Sequence, residues 1–429
     1  MAKTLVYQMY PISWEKYGGL PAMTEHLCRI KENLGEIDYV WVSPLYPSPR
    51  FDHGYDVADY KAIDPRFGTM DDFDKFVKTA KELGMGVLMD LVLNHTSTEQ
   101  KWFTEHPEYY CWRDEDMPGW HNLFNGGPAW KQADNGKYYL HLFHEKQADL
   151  RWYDDDGELN EPLVREFNEI VDFWKARGIS GFRLDVPQAI NKDFSDEELT
   201  LETLIFGDKA VDVLNAIFKG EQDLFLMMEC MDPTFGELTE YYANNTPVGF
   251  MVNMLLKDEF GLQEFSFTEP MKRRFQSLIK KQTDSSCFML DLESHDSPRF
   301  LSRCGLDGIL YSEMLEMMFD SDAEGICIYQ GQEFGLRNPT KEELPDELIL
   351  ELDAQTAMQY ASGESLDDLR PLSRANARVP LSLDDLEPRL LDSLEAHRGI
   401  ERFIRRSISE DHQQNVRLMK DWIHYWKTR

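Results

Sequence analysis

A TIM (β/α)8 barrel is the fold this sequence predicts, and two patterns predict it. Short apolar runs of strand length alternate with longer stretches of helical periodicity, the pattern of βα units feeding a parallel sheet. Three of the runs lead into an acidic residue: Asp185, Glu229 and Asp296. A carboxylate closing a buried strand is costly when unpaired, and at the C-terminal face of a parallel barrel such a residue usually serves catalysis.

Eight strands are expected, at 4–9, 39–42, 86–90, 181–185, 224–229, 249–253, 287–292 and 325–329. Helical stretches at 20–34 and 70–83 separate the first three, and 162–177 leads into the fourth. Between strands three and four the spacing breaks. The stretch 102–153 is rich in Trp, Tyr, His and Gly and has little periodicity, which reads as a loop-rich subdomain inserted over the active face. The expected organisation is a barrel made of 1–95 and 160–429, with 96–159 as the insertion. After strand eight, 331–411 is acidic with scattered proline and reads as irregular, and 413–426 is a candidate for the last barrel helix.

Composition fits one large domain. The 429 residues suit a barrel with insertions, and 42% hydrophobic residues suffice for a sizeable core. A formal net charge of −33 repels phosphate backbones and anionic lipid, so neither nucleic acid nor a membrane is an expected partner, and a neutral small molecule fits better. The six cysteines are scattered without a paired spacing, so they are expected to be reduced. With no secretory leader pattern and no apolar run of membrane-spanning length, the expected location is cytoplasmic. Nothing in the sequence fixes an oligomeric state.

Glycosidic cleavage needs two carboxyl groups, about 5 to 5.5 Å apart for retention of configuration and wider for inversion. Asp185 and Glu229 end adjacent expected strands, which suits the shorter distance. Arg183 lies two residues before Asp185, so both side chains leave the strand on the same side, where a guanidinium would hold the carboxylate ionised. The apolar run before Glu229 should raise its pKa toward a proton-donating role. A purely structural Arg–Asp pair explains Arg183 and Asp185 equally well.

Several separated motifs carry a resemblance. Asp90-Leu91-Val92-Leu93-Asn94-His95, Gly181-Phe182-Arg183-Leu184-Asp185-Val186, Glu229 after its apolar run, and His295-Asp296 resemble, in order, the strand-three, four, five and seven motifs of the α-amylase family, glycoside hydrolase family 13. Asp52-His53-Gly54-Tyr55-Asp56-Val57, Tyr138-Tyr139-Leu140-His141-Leu142-Phe143, Tyr329-Gln330-Gly331-Gln332-Glu333 and Ser373-Arg374-Ala375-Asn376-Ala377-Arg378 are similar to further motifs of its oligo-1,6-glucosidase and dextran glucosidase branch.

The resemblance implies a retaining α-glucoside hydrolase that works through a covalent β-glucosyl-enzyme. Asp185 would be the nucleophile, Glu229 the general acid and then base, and Asp296 the third carboxylate, with His95 and His295 donating to hydroxyls of the same sugar. Asp56 and Arg378 would fork around a terminal glucose and close the pocket, making the enzyme exo-acting on short α-glucosides, and Tyr55 would stack beneath the ring. Val186, the residue after the nucleophile, resembles the type that accompanies α-1,6 activity in this branch, a tilt of about 1 to 3 kcal/mol at most.

The chain departs from the family's pattern in four places. The first βα loop lacks the spaced Asp and Asn ligands that relatives use for calcium, so no calcium, and no other metal or cofactor, is expected there. Ser294 stands where many relatives have Asn, and Met228 and Cys230 flank the glutamate in place of smaller residues. The chain stops at Arg429, so the family's C-terminal β-sandwich is expected to be absent.

Two other readings share the barrel. A transglycosylating relative, of the sucrose isomerase or sucrose phosphorylase type, differs only in what attacks the glycosyl-enzyme, but 297–303 shows no Arg-x-Asp-Arg motif of the isomerising branch. A non-catalytic sugar-binding protein is disfavoured because all three carboxylates are kept.

Overall fold

The computed structural model describes residues 3–190 except 155, then 207–218, 223–229, 248–251, 289–303, 311–379 except 345 and 361–364, and 410–429, with short pieces at 192, 194, 197–199, 273, 276–277 and 280. Eight strands stand in the order of a (β/α)8 barrel: β1 (Thr4–Met9), β2 (Tyr39–Val42), β3 (Gly86–Val92), β4 (Gly181–Asp185), β5 (Phe225–Glu229), β6 (Val248–Met251), β7 (Met289–Leu290) and β8 (Gly325–Tyr329). Every expected strand recurs within a few residues of its expected bounds. Residues 252–253 and 287–288 of the sixth and seventh expectations lie outside the described residues.

The chain forms two compact units. The first holds 1–42, 66–87 and 249–429. In it β1 pairs in parallel with both β2 and β8, and β7 with both β6 and β8. Helix α1 (Leu20–Leu34) buries Leu20, Met23, Leu27, Ile30 and Leu34, an i, i+3, i+4 stripe. Gly19 precedes it at φ 62°, where a Cβ would stand 2.3 Å from the Phe67 carbonyl oxygen, so only glycine fits. Helix α2 (Met70–Glu82) starts at a capping box in which Thr69 and Asp72 satisfy each other's backbone N–H.

The second unit holds 43–65 and 88–248, with β4 between β3 and β5, all parallel. Gly181 opens β4 because a Cβ there would stand 1.8 Å from the Phe225 carbonyl oxygen of β5. Helix α3 (Glu161–Ala176) is capped by the Asn160 side chain and buries Leu163, Phe167, Ile170, Val171 and Trp174. The segment between β3 and α3 is not structureless. It forms a two-stranded antiparallel ladder, His95–Ser97 with Gln147–Asp149, and a small sheet in which Tyr138–Leu140 pairs with Trp112–Arg113 and Trp130–Gln132. Trp120, Trp130, Leu140 and Leu142 make its core.

Beyond α4 (Gly207–Phe218) and α5 (Tyr311–Phe319), the late chain corrects one expectation. The stretch read as irregular contains α6 (Asp346–Gln359), whose alternation of acidic and apolar residues hides a helical stripe. The last helix, α7 (Glu410–Thr428), takes the place expected for one. Among the described residues no helix is long and apolar enough to cross a membrane. Among the described residues Cys28, Cys111 and Cys327 are not joined in disulfides, and Cys230, Cys287 and Cys304 lie outside the described residues.

Candidate active site

In the second unit the chemistry gathers around one guanidinium. Arg183, fully buried in β4, donates through Nη1 to Asp90 Oδ1 at 2.8 Å and to Asp185 Oδ1 at 2.6 Å. Its Nη2 stands 2.7 Å from Glu229 Oε2, at the end of β5. The strand register explains the gathering, since Asp90 lies opposite Arg183 and Val92 opposite Asp185 across β3 and β4. Alternation then sends Arg183 and Asp185 to the same face. Tyr55 donates its hydroxyl to Asp90 Oδ2 at 3.1 Å, and its ring lies 5.8 Å from the guanidinium carbon.

This sharing corrects the expected electrostatics. Arg183 does not serve Asp185 alone: three carboxylates use one positive charge. Burial, with the neighbouring Glu229 and Asp90, raises the Asp185 carboxyl well above the ordinary carboxylate range against the pull of Arg183. Nor does Glu229 end in a purely apolar pocket. It pairs with Arg183 and accepts the Val186 backbone N–H at 3.2 Å. Val186 holds a φ of 33°, a conformation a β-branched residue rarely adopts, and its side chain packs with Trp120, Trp130 and Leu142.

His95 is buried beside this cluster, with its ring nitrogens within hydrogen-bond distance of the Asn94 and Gln147 side chains. Burial, with Lys192 adding to it, lowers its pKa to about 3, so the imidazole is neutral at pH 7. Lys192 itself is nearly fully buried, 3.2 Å from Asp149 Oδ2 and 2.9 Å from Asn94 Oδ1. This Lys192–Asp149–Asn94 network was not expected from the sequence, because its members sit far apart along the chain.

The first unit holds Asp296. Contrary to expectation, it does not close a strand. It lies six residues beyond Leu290, in a turn where Ser294 Oγ accepts the Asp296 N–H. Its Oδ2 stands 2.9 Å from His295 Nε2, and its Oδ1 accepts Arg378 Nη2 at 2.7 Å and Arg374 Nη1 at 3.0 Å. Burial pushes the carboxyl up, but His295, Arg378 and Arg374 outweigh it and hold the group well below the ordinary range. His295 is fixed by Gln8 at Nδ1, by Tyr10 stacked at 5.5 Å, and by Trp41 edge-on. Arg374 was not singled out in the sequence, although its spacing of four from Arg378 was visible there.

The two residues expected to close the pocket have other partners. Asp56 is fully buried, and its carboxylate accepts the Ser48 hydroxyl and the backbone N–H groups of Phe51 and Asp52. Arg378 donates to Asp296 and to the His295 carbonyl. The expected sugar-stacking Tyr55 is likewise buried against Arg183 and Asp90. Among the described residues, no group of three or more His, Cys, Asp or Glu could hold a metal ion.

The α-amylase catalytic domain model matches residues 8–387. The chain belongs to the α-amylase family. It is 34% identical over 421 residues to a trehalose-6-phosphate hydrolase of Escherichia coli, covering 88% of this chain and 74% of that protein. It is 32% identical to a glucan 1,6-alpha-glucosidase of Streptococcus pneumoniae, covering 89% and 75%. It is 31% identical to an oligo-1,6-glucosidase of Heyndrickxia coagulans, covering 89% and 76%. The crystal structure of a Bacillus licheniformis trehalose-6-phosphate hydrolase superposes with a TM-score of 0.78 at 27% identity, over all of this chain and 84% of that one. This family member is thus a glycoside hydrolase on a TIM barrel.

Proposed function

We propose that this α-amylase family member is a retaining, exo-acting hydrolase of short neutral α-glucosides with a preference for α-1,6 bonds. The observation that carries the reading is the Arg183 guanidinium shared by Asp185 and Glu229 at 2.6 and 2.7 Å. Two carboxylates on one guanidinium are close together, which suits the roughly 5 to 5.5 Å of a retaining pair better than the wider inverting one. Asp185 is the nucleophile on C1 of the glucosyl unit. Glu229 gives its proton to the departing oxygen, then takes one from the water that hydrolyses the β-glucosyl-enzyme. The proton balance is set by the shared guanidinium: three carboxylates around one positive charge favour keeping one proton among them, and substrate entry leaves it on Glu229.

Asp296 is assigned to sugar hydroxyls, where an ionised carboxylate is the stronger acceptor. The His95 imidazole, neutral at pH 7, contributes an uncharged donor. The exo character rests on the branch resemblance alone, since Asp56 and Arg378 have the partners described above. The α-1,6 preference rests on Val186 and on relatives named for that linkage. The formal charge of −33 favours a neutral substrate over a phosphorylated one such as trehalose 6-phosphate.

Isomaltose, maltose, sucrose, trehalose and trehalose 6-phosphate, incubated in parallel and followed by product chromatography, test the reading. Glucose released fastest from isomaltose is the expected result. Preferred cleavage of the phosphorylated disaccharide, or an isomerised disaccharide as the main product from sucrose, overturns it.

A further inference from the structure

Phe51 is 37% exposed, one of four large apolar side chains so exposed among the described residues. A lone exposed apolar residue is ordinary. What sets Phe51 apart is how firmly it is held. Its backbone lies between Arg50 and His53, at φ 67° and 50°, and the buried Asp56 carboxylate accepts its N–H at 2.8 Å. Its ring stacks on His144 with centroids 5.3 Å apart and planes 12° apart.

His144 is equally fixed. Its backbone N–H donates to Gln147 Oε1 at 2.9 Å, and its ring Nδ1 accepts the Lys146 backbone N–H at 3.1 Å. Burial, chiefly, lowers its pKa, so the ring facing Phe51 is an uncharged imidazole at neutral pH. Gln147 then ties the stack inward. Its Nε2 donates to Asp52 Oδ2 at 3.0 Å and stands 2.9 Å from His95 Nε2. One buried amide therefore links the exposed pair to the imidazole beside the Arg183 cluster. Lys146 Nζ, 5.8 Å from the Phe51 centroid, adds a donor at the rim on a flexible stem.

A rigid aromatic face tied through one buried amide to a glycosidase site, with a hydrogen-bond donor at its rim, fits the apolar C–H face and hydroxyl edge of a pyranose. We propose that Phe51, backed by His144, is a sugar-binding platform for a glucosyl unit remote from the cleaved bond, so that it favours trisaccharides over disaccharides. The proposal rests on the saccharide-cleaving reading above and adds a subsite to it.

The test compares isomaltotriose with isomaltose in the wild-type chain, Phe51→Ala and Phe51→Trp. Phe51→Ala is expected to raise KM for the trisaccharide about fivefold more than for the disaccharide, and Phe51→Trp to restore the difference. Calorimetric titration of isomaltotriose into Asp185→Asn and Asp185→Asn/Phe51→Ala reads the same loss without turnover. An equal effect on both saccharides, or none, overturns the platform. If the wild-type chain leaves isomalto-saccharides intact, the linkage reading fails, and the same comparison with maltotriose and maltose judges the platform, because stacking on a sugar face does not depend on linkage.

Discussion

Arg183 holds Glu229 through Nη2 at 2.7 Å while its Nη1 serves Asp185 and Asp90. A general acid in an ion pair must exchange that contact for a proton before it can donate. Glu229→Gln removes the proton but keeps the size and leaves Arg183 two partners. Turnover of isomaltose should fall about 10²- to 10⁴-fold, the usual share of general acid catalysis. Glucosyl fluoride, whose leaving group needs no proton, should lose far less in its first step. Equal losses on both substrates would remove Glu229 from the acid role.

The raised carboxyl of Asp185 has a consequence for stability. Its folded pKa lies above its unfolded value, so the folded chain binds more protons and stability falls as pH rises through that interval. Asp185→Asn should therefore melt at a higher temperature than the wild type at pH 7, with the gap closing toward pH 3. Melting curves by circular dichroism across that range check the sign. A variant less stable at pH 7 would mean that the Arg183 pairing dominates.

Asp296 has the opposite sign. Its folded pKa is depressed by His295, Arg378 and Arg374 against burial, so its contribution is present above the ordinary carboxylate pKa and is lost as pH falls through the folded value. Arg374→Gln withdraws one guanidinium. The acid limb of the pH profile for kcat/KM should move to higher pH, and stability should decline at a higher pH than in the wild type. An unmoved acid limb would assign Arg374 to packing alone.

Lys192 and Asp149 are buried together, so breaking their pair by Lys192→Met should cost about 3 to 5 kcal/mol. Lys192→Met/Asp149→Asn should recover part of that loss, because it leaves no uncompensated buried charge. Urea unfolding of the wild type and the two variants measures both quantities, and a double variant no better than the single would disprove the coupling.

The strands, and the acids Asp185 and Glu229 that close two of them, were legible because period and placement are local: the alternation in Gly181–Asp185 sends Arg183 and Asp185 to one face whatever the rest of the chain does. Partners across the chain were not. One guanidinium serves three carboxylates because β3 and β5 flank β4, and a motif read by itself gives Arg183 to its nearest acid. The motif that marks Asp56 as a sugar clamp does not show that its carboxylate also accepts from Ser48, Phe51 and Asp52 in its own loop. Lys192 gave no local signal at all, since its partners Asn94 and Asp149 lie far from it along the chain.

The division of labour between Asp185 and Glu229 is tested most directly by trapping the intermediate. The chain is treated with a 5-fluoro-glucosyl fluoride, which forms the glycosyl-enzyme faster than water releases it, then digested and sequenced by mass spectrometry. A fluoroglucosyl adduct on the peptide containing Asp185, and at that residue, is the predicted result. An adduct on Glu229 or Asp296, or turnover with inversion and no adduct, would contradict it.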